Sequence, residues 1–325
     1  MALNLGALVV PQDGGILVYH PQIGDDLSTL PAARCTVLAT FKPDYDYFER
    51  LGYSVAQTAQ GLPPAAMAII CLPRAKAAAR DMLAQAGAQL RAGGKIVLDG
   101  QKTDGIEAVL KDLKDLGADL GEVISKAHGK LAVFAPSAQL ATWAAAPLTV
   151  GDGFITRAGV FSADAPDRAS QLLADVLPAR LPPRVADFGA GWGYLSRAIL
   201  ARTGVQHLDV IEADAAALDC ARRNITDTRA QFHWADVGQF RPTRLWDAVV
   251  MNPPFHTARS PNAGLGLAFI TAAHKGLAPN GQLWLVANRQ LPYTEAVRAV
   301  FRDVEELGSD PTFRLIRAAI PLRHR

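Results

Sequence analysis

Short apolar runs alternate along the whole chain with longer stretches in which apolar residues recur every three or four positions. The runs at 16–19, 35–39, 67–72, 95–99 and 131–134 predict strands in the first part, and those at 184–188, 208–212, 231–234, 247–251, 282–287 and 313–319 predict strands in the second. Helical patterns fall between them at 75–91, 105–116, 194–202, 215–224 and 264–276. Glycines at 93–94 and 117 mark two helix ends. Strand and helix in alternation imply βα units around a parallel sheet, so the fold class expected is α/β. Four consecutive apolar residues, Ala248-Val249-Val250-Met251, suit a strand covered on both faces. Ala144-Ala145-Ala146-Pro147 followed by Gly151-Asp152-Gly153 reads as a connection, which divides the chain into domains 1–145 and 146–325.

The two halves share a rhythm. Met-Ala-Ile-Ile-Cys-Leu-Pro-Arg at 67–74, a helix, and Arg-Ala-Gly-Gly-Lys-Ile-Val-Leu-Asp-Gly-Gln-Lys at 91–102 form one series. Ala-Val-Val-Met-Asn-Pro-Pro-Phe at 248–255, a helix, and Ala-Pro-Asn-Gly-Gln-Leu-Trp-Leu-Val-Ala-Asn-Arg at 278–289 form its counterpart. The shared order of strand, proline turn, helix, glycine turn, strand and basic end indicates an internal duplication. Only the second copy has a glycine-rich loop before it.

Composition narrows the function without naming it. The 325 residues are 50% hydrophobic and 20% charged, ordinary for a globular protein with room for two cores. No apolar run reaches membrane-spanning length and no basic secretory leader opens the chain, so a cytoplasmic protein is expected, without a membrane partner. The three cysteines, Cys35, Cys71 and Cys220, are far apart and form no CxxC or Cys/His cluster, which argues for reduced thiols and against a bound metal. Charge is nearly balanced: 13 basic against 14 acidic residues in 1–145, and 20 against 17 in 146–325. A polyanion must therefore be met by a local patch.

The chemistry concentrates in the second half. Val185-Ala-Asp-Phe-Gly-Ala-Gly-Trp-Gly-Tyr-Leu195 is a strand, a glycine turn and a helix start. Gly189, Gly191 and Gly193 allow a tight turn and close approach of a cofactor, and the N–H groups of the following helix suit a carboxylate or phosphate. Glu212, nineteen residues past Gly193 at the next strand's end, is placed to accept from ribose hydroxyls. Asp236 follows the strand after that, where a carboxylate can accept from an adenine amine. Asp187 directly precedes the loop, and no Lys or Arg occurs between Asp187 and Leu195. That acid repels a pyrophosphate but suits an ammonium, which favours S-adenosylmethionine over a dinucleotide.

Asn252-Pro253-Pro254-Phe255 ends the fourth strand. A proline holds the residue before it extended, and two prolines offer no N–H, leaving a stiff ledge of an amide, bare carbonyls and an aromatic ring. Such a ledge suits a planar amine.

On these residues the second half resembles class I S-adenosylmethionine-dependent methyltransferases. Nearly the whole chain resembles the bacterial RsmC-like rRNA guanine-N2 methyltransferases, through 99–106 (Asp-Gly-Gln-Lys-Thr-Asp-Gly-Ile), 125–130 (Ser-Lys-Ala-His-Gly-Lys), 158–162 (Ala-Gly-Val-Phe-Ser), the glycine loop, 251–256 (Met-Asn-Pro-Pro-Phe-His) and 286–289 (Val-Ala-Asn-Arg). The resemblance implies two tandem Rossmann-like methyltransferase domains, the N-terminal one degenerate, unable to bind cofactor and supporting folding or RNA binding. It implies methylation of a guanine N2 amine in ribosomal RNA, most directly small-subunit 16S rRNA, by a monomer acting on RNA or a ribosomal subunit. In this reading Asn252 and Pro253 accept from the amine, Pro254 stiffens the ledge, Phe255 stacks on the base, and Phe161 closes over the cofactor. Lys102, Lys126, His128 and Lys130 are the candidates for phosphate contact. Two other readings stand: a release-factor glutamine methyltransferase, which normally carries Tyr in place of Phe255 behind a helical front domain, and a non-enzymatic RNA-binding protein, which would not need an intact cofactor loop.

Overall fold

The computed structural model describes residues 9–254, 256–257, 260–261, 263–308 and 310–322. The chain divides into two compact units, Met1–Pro147 and Leu148–Arg325.

The first unit is built on strands β1 (Ile16–Tyr19), β2 (Cys35–Leu38), β3 (Ser54–Ala56), β4 (Ala65–Cys71), β5 (Leu90–Gln101), β6 (Ile124–Lys126) and β7 (Gly129–Phe134). Helices α1 (Lys42–Arg50), α2 (Lys76–Gln89) and α3 (Ile106–Asp115) connect them. In the second unit a short hairpin, β8 (Leu148–Val150) and β9 (Phe154–Thr156), precedes α4 (Arg168–Val176). Strands β10 (Arg184–Phe188), β11 (His207–Glu212), β12 (Ala230–Trp234) and β13 (Trp246–Met251) alternate with α5 (Tyr194–Leu200) and α6 (Ala215–Asn224). A two-residue pair, β14 (His256–Thr257) with β15 (Ser260–Pro261), leads into α7 (Ala263–Gly276), β16 (Leu277–Asn288), α8 (Tyr293–Val300), β17 (Phe301–Leu307) and β18 (Phe313–Pro321).

The expected α/β fold with two tandem Rossmann-like domains is what forms. One sheet runs β3-β2-β1-β4-β5-β7-β6 and the other β12-β11-β10-β13-β16-β18-β17, the same order twice. In each, five parallel strands are followed by one antiparallel strand, β7 or β18, against which the edge strand, β6 or β17, pairs antiparallel in turn. The duplication extends to register. Met67 pairs with Lys95 and Ala248 with Gln282, the positions matched in the two sequence series. Both pairings also shift at the same place, between Ala65 and Met67 in one and between Trp246 and Ala248 in the other.

Register also shows what the first unit lost. Through the pairings Ile16–Met67 and Val185–Ala248, Val18 occupies the position of Asp187 and His20 that of Gly189. Through Ile16–Cys35 and Val185–Leu208, Ala39 stands at the position of Glu212. Cys71 stands where the second unit has Asn252. The backbone turn nonetheless survives: His20 has φ +57° and Gly24 +98°, against +68° and +93° for Gly189 and Gly193. The amide of His20 donates to the Leu38 carbonyl at 3.0 Å, as that of Gly189 does to Ile211 at 2.9 Å. The first unit thus keeps the turn but has no acid at the positions of Asp187 and Glu212 and no amide at that of Asn252.

Several elements differ from expectation. The helix 75–91 ends at Gln89, and Gly93 and Gly94 lie beyond it in β5, at the shift in register, rather than capping the helix. Strand β17 (Phe301–Leu307) is an unanticipated edge strand in which Arg302, Asp303, Glu305 and Glu306 outnumber the apolar residues, a composition that blunts an edge but hides it from pattern reading. Helices α1, α4 and α8 add to the elements expected from the sequence pattern; α1 buries only Phe48.

The core of the second unit lies on both faces of its sheet, with Val185, Ala186, Ala248, Val249, Val250 and Met251 fully buried. Asp209 is one of the polar groups held inside it. Asp209 of β11 accepts from His233 and His207 at 2.8 and 3.0 Å through Oδ1 and from Trp246 Nε1 at 2.7 Å through Oδ2. Burial pushes its carboxyl up, but the bonds from His233, Trp246 and His207 outweigh this and hold it at about 2. A pKa lowered in the fold contributes stability above the unfolded value, near 3.9, and loses it as pH falls toward 2. Asp209→Ala is therefore expected to destabilise the protein by about 3 kcal/mol at pH 7, because it strands the Trp246 donor in the core. In urea titrations that deficit should shrink as pH falls from 4 toward 2. A variant as stable as the wild type at neutral pH would show that the cluster adds nothing.

Candidate functional site

The parallel strands β12, β11, β10 and β13 lie side by side, so their carboxyl ends form one edge. Ligands bind at this edge in open α/β sheets. Asp187 is the penultimate residue of β10, Glu212 ends β11, Asp236 follows β12, and Asn252 follows β13.

The loop after β10 is shaped for close approach. Gly189, Gly191 and Gly193 all have positive φ. A Cβ on Gly189 would come within 3.2 Å of the Phe269 ring, and one on Gly193 within 2.8 Å of Ile225 and 3.4 Å of the Ala221 backbone. Gly193 opens α5. Gly189, Gly191, Phe161 and Asn252 line one pocket together with Trp192, Asp167 and Ser170. Phe161 is 62% exposed there, a large ring with no core role. Of the residues read as cofactor contacts, Gly189, Gly191 and Phe161 thus meet Asn252 in one place, whereas Asp187, Gly193, Glu212 and Asp236 do not line that pocket.

Beneath the loop, Asp187 is wholly buried. Its Oδ2 accepts from Ser196 Oγ at 2.6 Å, and its Oδ1 has no partner. Desolvation raises its pKa to about 7, opposed by the Ser196 bond and assisted by the charge of Glu212. Glu212 accepts from the Gly191 and Asp214 amides at 2.7 and 2.8 Å. Burial likewise raises its pKa to about 7, with those amides pulling the other way and the Asp214 charge adding to it. A buried, unpartnered carboxylate oxygen beside a second carboxylate is relieved either by a proton, as its raised pKa reflects, or by a cation. The ammonium of S-adenosylmethionine supplies one, so the donor set fits that cofactor.

Asp236 is less committed to the pocket. Its Oδ1 accepts from the Gly238 amide at 2.8 Å, closing its own turn, and it does not line the pocket that contains Asn252. Phe255 and the His256 side chain lie outside the described residues. In the first unit, Lys102, Lys126, His128 and Lys130 line one concavity, in which Lys130 pairs with Glu107 at 3.2 Å. Ala127 and His128 both have positive φ at its hairpin turn.

The pocket holds residues that sequence reading passed over. The Asn252 amide donates through Nδ2 to Asp167 Oδ2 and to Ser170 Oγ, both at 2.9 Å. Asp167 also caps α4 by accepting from the Ser170 amide at 2.9 Å. An Asp ahead of the periodic apolar run Ala169, Leu172, Leu173 and Val176 is a helix-start signal that could have located α4. Asn224, at the end of α6, ties β9 to the glycine loop: it exchanges two bonds with Ile155 at 2.7 and 2.8 Å and donates to the Trp192 carbonyl at 2.8 Å. Trp192 Nε1 in turn donates to the Phe161 carbonyl at 3.0 Å, so the segment carrying Phe161 is pinned to the loop. These bonds span 31 to 85 residues of sequence and left no local mark.

Among the described residues no group of three His, Cys, Asp or Glu side chains could hold a metal ion, and no helix is long and apolar enough to cross a membrane.

Comparison with known proteins places these features in a family. The methyltransferase small domain matches residues 152–317, and the N-terminal domain of the same type matches residues 15–146. Ribosomal RNA small subunit methyltransferase C of Aeromonas hydrophila is 28% identical over 318 residues, 93% of each chain. Its counterpart from Shewanella loihica is 28% identical over 258 residues, 76% of this chain and 75% of the relative. Among solved structures, the 16S rRNA N2 methyltransferase RsmC of T. thermophilus, in complex with AdoMet and guanosine, superposes with a TM-score of 0.80 at 24% identity, covering 96% of this chain and 90% of that one.

Proposed function

The chain belongs to the methyltransferase small domain family, and on that premise we propose that it transfers a methyl group from S-adenosylmethionine to the exocyclic N2 amine of a guanine in 16S rRNA. The observation that carries this reading is the Asn252 amide, held by its nitrogen to Asp167 and Ser170 so that its oxygen is left to accept. Relatives with this architecture carry the name of small-subunit rRNA methyltransferases across most of their length.

Bound over the glycine loop, S-adenosylmethionine supplies a methyl group already activated by its sulfonium. The protein's part is to place that group in line with the amine. Asp187, with its unpaired Oδ1, holds the ammonium, Glu212 the ribose hydroxyls, and Asp236 the adenine amine. Phe161, pinned through Trp192, covers the cofactor. Guanine N2 is a weak nucleophile because its lone pair is delocalised into the ring. Hydrogen bonds to Asn252 Oδ1 and the Pro253 carbonyl draw it toward tetrahedral geometry and stabilise the charge that develops on it. Pro254 keeps the ledge rigid, and Phe255 stacks on a base taken out of its helix or loop. As the N–C bond forms the C–S bond breaks and S-adenosylhomocysteine leaves, and the methylated nitrogen, now strongly acidic, gives its proton to solvent, so no dedicated general base is needed.

Domain 1–145 assists folding or holds RNA without catalysing: Val18, His20, Ala39 and Cys71 cannot replace the groups that bind cofactor and amine. Lys102, Lys126, His128 and Lys130 supply phosphate contacts. The protein acts as a cytoplasmic monomer. Incubation with labelled S-adenosylmethionine and, in parallel, undermodified ribosomal RNA, ribosomal subunits, protein and DNA tests the assignment. Label in ribosomal RNA or small subunits is expected, and label in protein alone would redirect the reading to glutamine methylation.

A further inference from the structure

Asn252 stands on its ledge in contact with α4, the first helix of the second unit, which its own strand does not require. Both hydrogens of its amide nitrogen are used, one by Asp167 Oδ2 and one by Ser170 Oγ, each at 2.9 Å. Among the described residues no donor reaches its Oδ1. Asp167 Oδ2 serves a second amide as well, the Ser170 N–H at 2.9 Å, so the cap of α4 and the side chain of Asn252 share one carboxylate oxygen. Ser170 is itself buried.

We propose that Asp167, together with Ser170, is a positioning residue for methyl transfer: it locks the Asn252 amide with nitrogen inward and oxygen toward the pocket, and its charge makes that oxygen a stronger acceptor. The proposal rests on the reading that Asn252 accepts from the substrate amine. The two ends of an amide are nearly the same shape, so only hydrogen-bond partners choose between them. Rotated by half a turn, Oδ1 would face a carboxylate that has no proton to give, and the N–H groups would face the amine, donor against donor. Asp167 forbids that arrangement. A carboxylate bonded to the nitrogen of an amide also shifts electron density to its oxygen, and bonds in such a chain reinforce one another. The acceptor is thereby strongest where positive charge develops on the substrate nitrogen.

Two variants separate this from a structural role. Asp167→Asn keeps a helix-capping side chain but removes the charge and permits either orientation of Asn252. Asp167→Ser keeps the cap with a side chain too short to reach Asn252. Each is expected to lower kcat about tenfold, with the S-adenosylmethionine Kd changed by no more than about twofold. In an Asn252→Ala background, Asp167→Asn should lower kcat by less than about twofold further, because the group it positions is gone. Melting temperatures of all four proteins show whether each is folded. The proposal is overturned if both single variants keep wild-type kcat, or if Asp167→Asn lowers kcat by the same factor in both backgrounds. If Asn252→Ala itself turns over at the wild-type rate, the underlying reading fails and this one with it. If Asn252→Ala is impaired and the Asp167 variants are not, only the role of Asp167 falls.

Discussion

Asn252→Ala is expected to reduce methyl transfer about a hundredfold or more while leaving the affinity for S-adenosylmethionine within about twofold, as for loss of a hydrogen bond made chiefly in the transition state. The geometry explains the split. Asn252 lines the same pocket as Gly189 and Gly191, but its side chain is bonded to α4 and not to the glycine loop. Removing it leaves Asp187 and Glu212 untouched, along with the turn that receives the cofactor. It does remove the acceptor that draws the amine's lone pair out of conjugation. Asn252→Asp is the informative companion: it presents a carboxylate oxygen to Asp167 and loses the donors, so two acceptors meet where one pair was bonded. It should be poor as well, although it retains an oxygen for the substrate. Single-turnover rates with cofactor saturating, beside calorimetric Kd values, separate the two quantities. Loss of cofactor affinity in step with loss of rate would mean that Asn252 shapes the cofactor pocket instead.

Asp187→Ala and Glu212→Ala are each expected to weaken S-adenosylmethionine binding tenfold or more, about 1.5–3 kcal/mol for a lost hydrogen bond to a charged group. Calorimetry should find one site per chain, because the first unit carries Val18 and Ala39 in the corresponding places. The pH dependence has a definite sign. In the free protein burial raises both carboxyls to about 7, so near neutral pH part of the population is protonated. An ammonium beside Asp187 favours the ionised form and expels a proton. Affinity should therefore rise with pH between 6 and 8, and titrations in buffers of different ionisation enthalpy should register proton release. In Asp187→Ala that dependence should be reduced. Two sites per chain, or an affinity that falls over the same range, would contradict this account of the pocket.

The strands that carry the site were legible because they are buried on both faces. Runs such as Ala248–Met251 contain no polar residue to confuse the period, and the Asn-Pro-Pro turn marks the end of theirs. The duplication could be read because glycine and proline turns recur at matching positions. Register then extended it to Val18 and His20, where no residue identity remains and only the left-handed turn at His20 betrays the common backbone. What stayed hidden was long-range. Asp167 and Asn224 do their work through hydrogen bonds to residues 85 and 69 positions away, and nothing next to them in sequence announces it. Edge strands such as β17 were hidden for the opposite reason: their charges keep the sheet edge in water and erase the alternation that identifies a strand. That Asp236 is an acid following a strand could be read, but not that its Oδ1 also closes a local turn onto the Gly238 amide.

The measurement that tests the central claim most directly is nucleoside mass spectrometry of 16S rRNA from undermodified small subunits treated with S-adenosylmethionine and either the wild-type protein or Asn252→Ala. The proposed chemistry predicts one new N2-methylguanosine per RNA with the wild type and almost none with the variant under the same conditions. A methyl group on another atom or base, equal product from Asn252→Ala, or methylated glutamine in a protein with the RNA unchanged would contradict it.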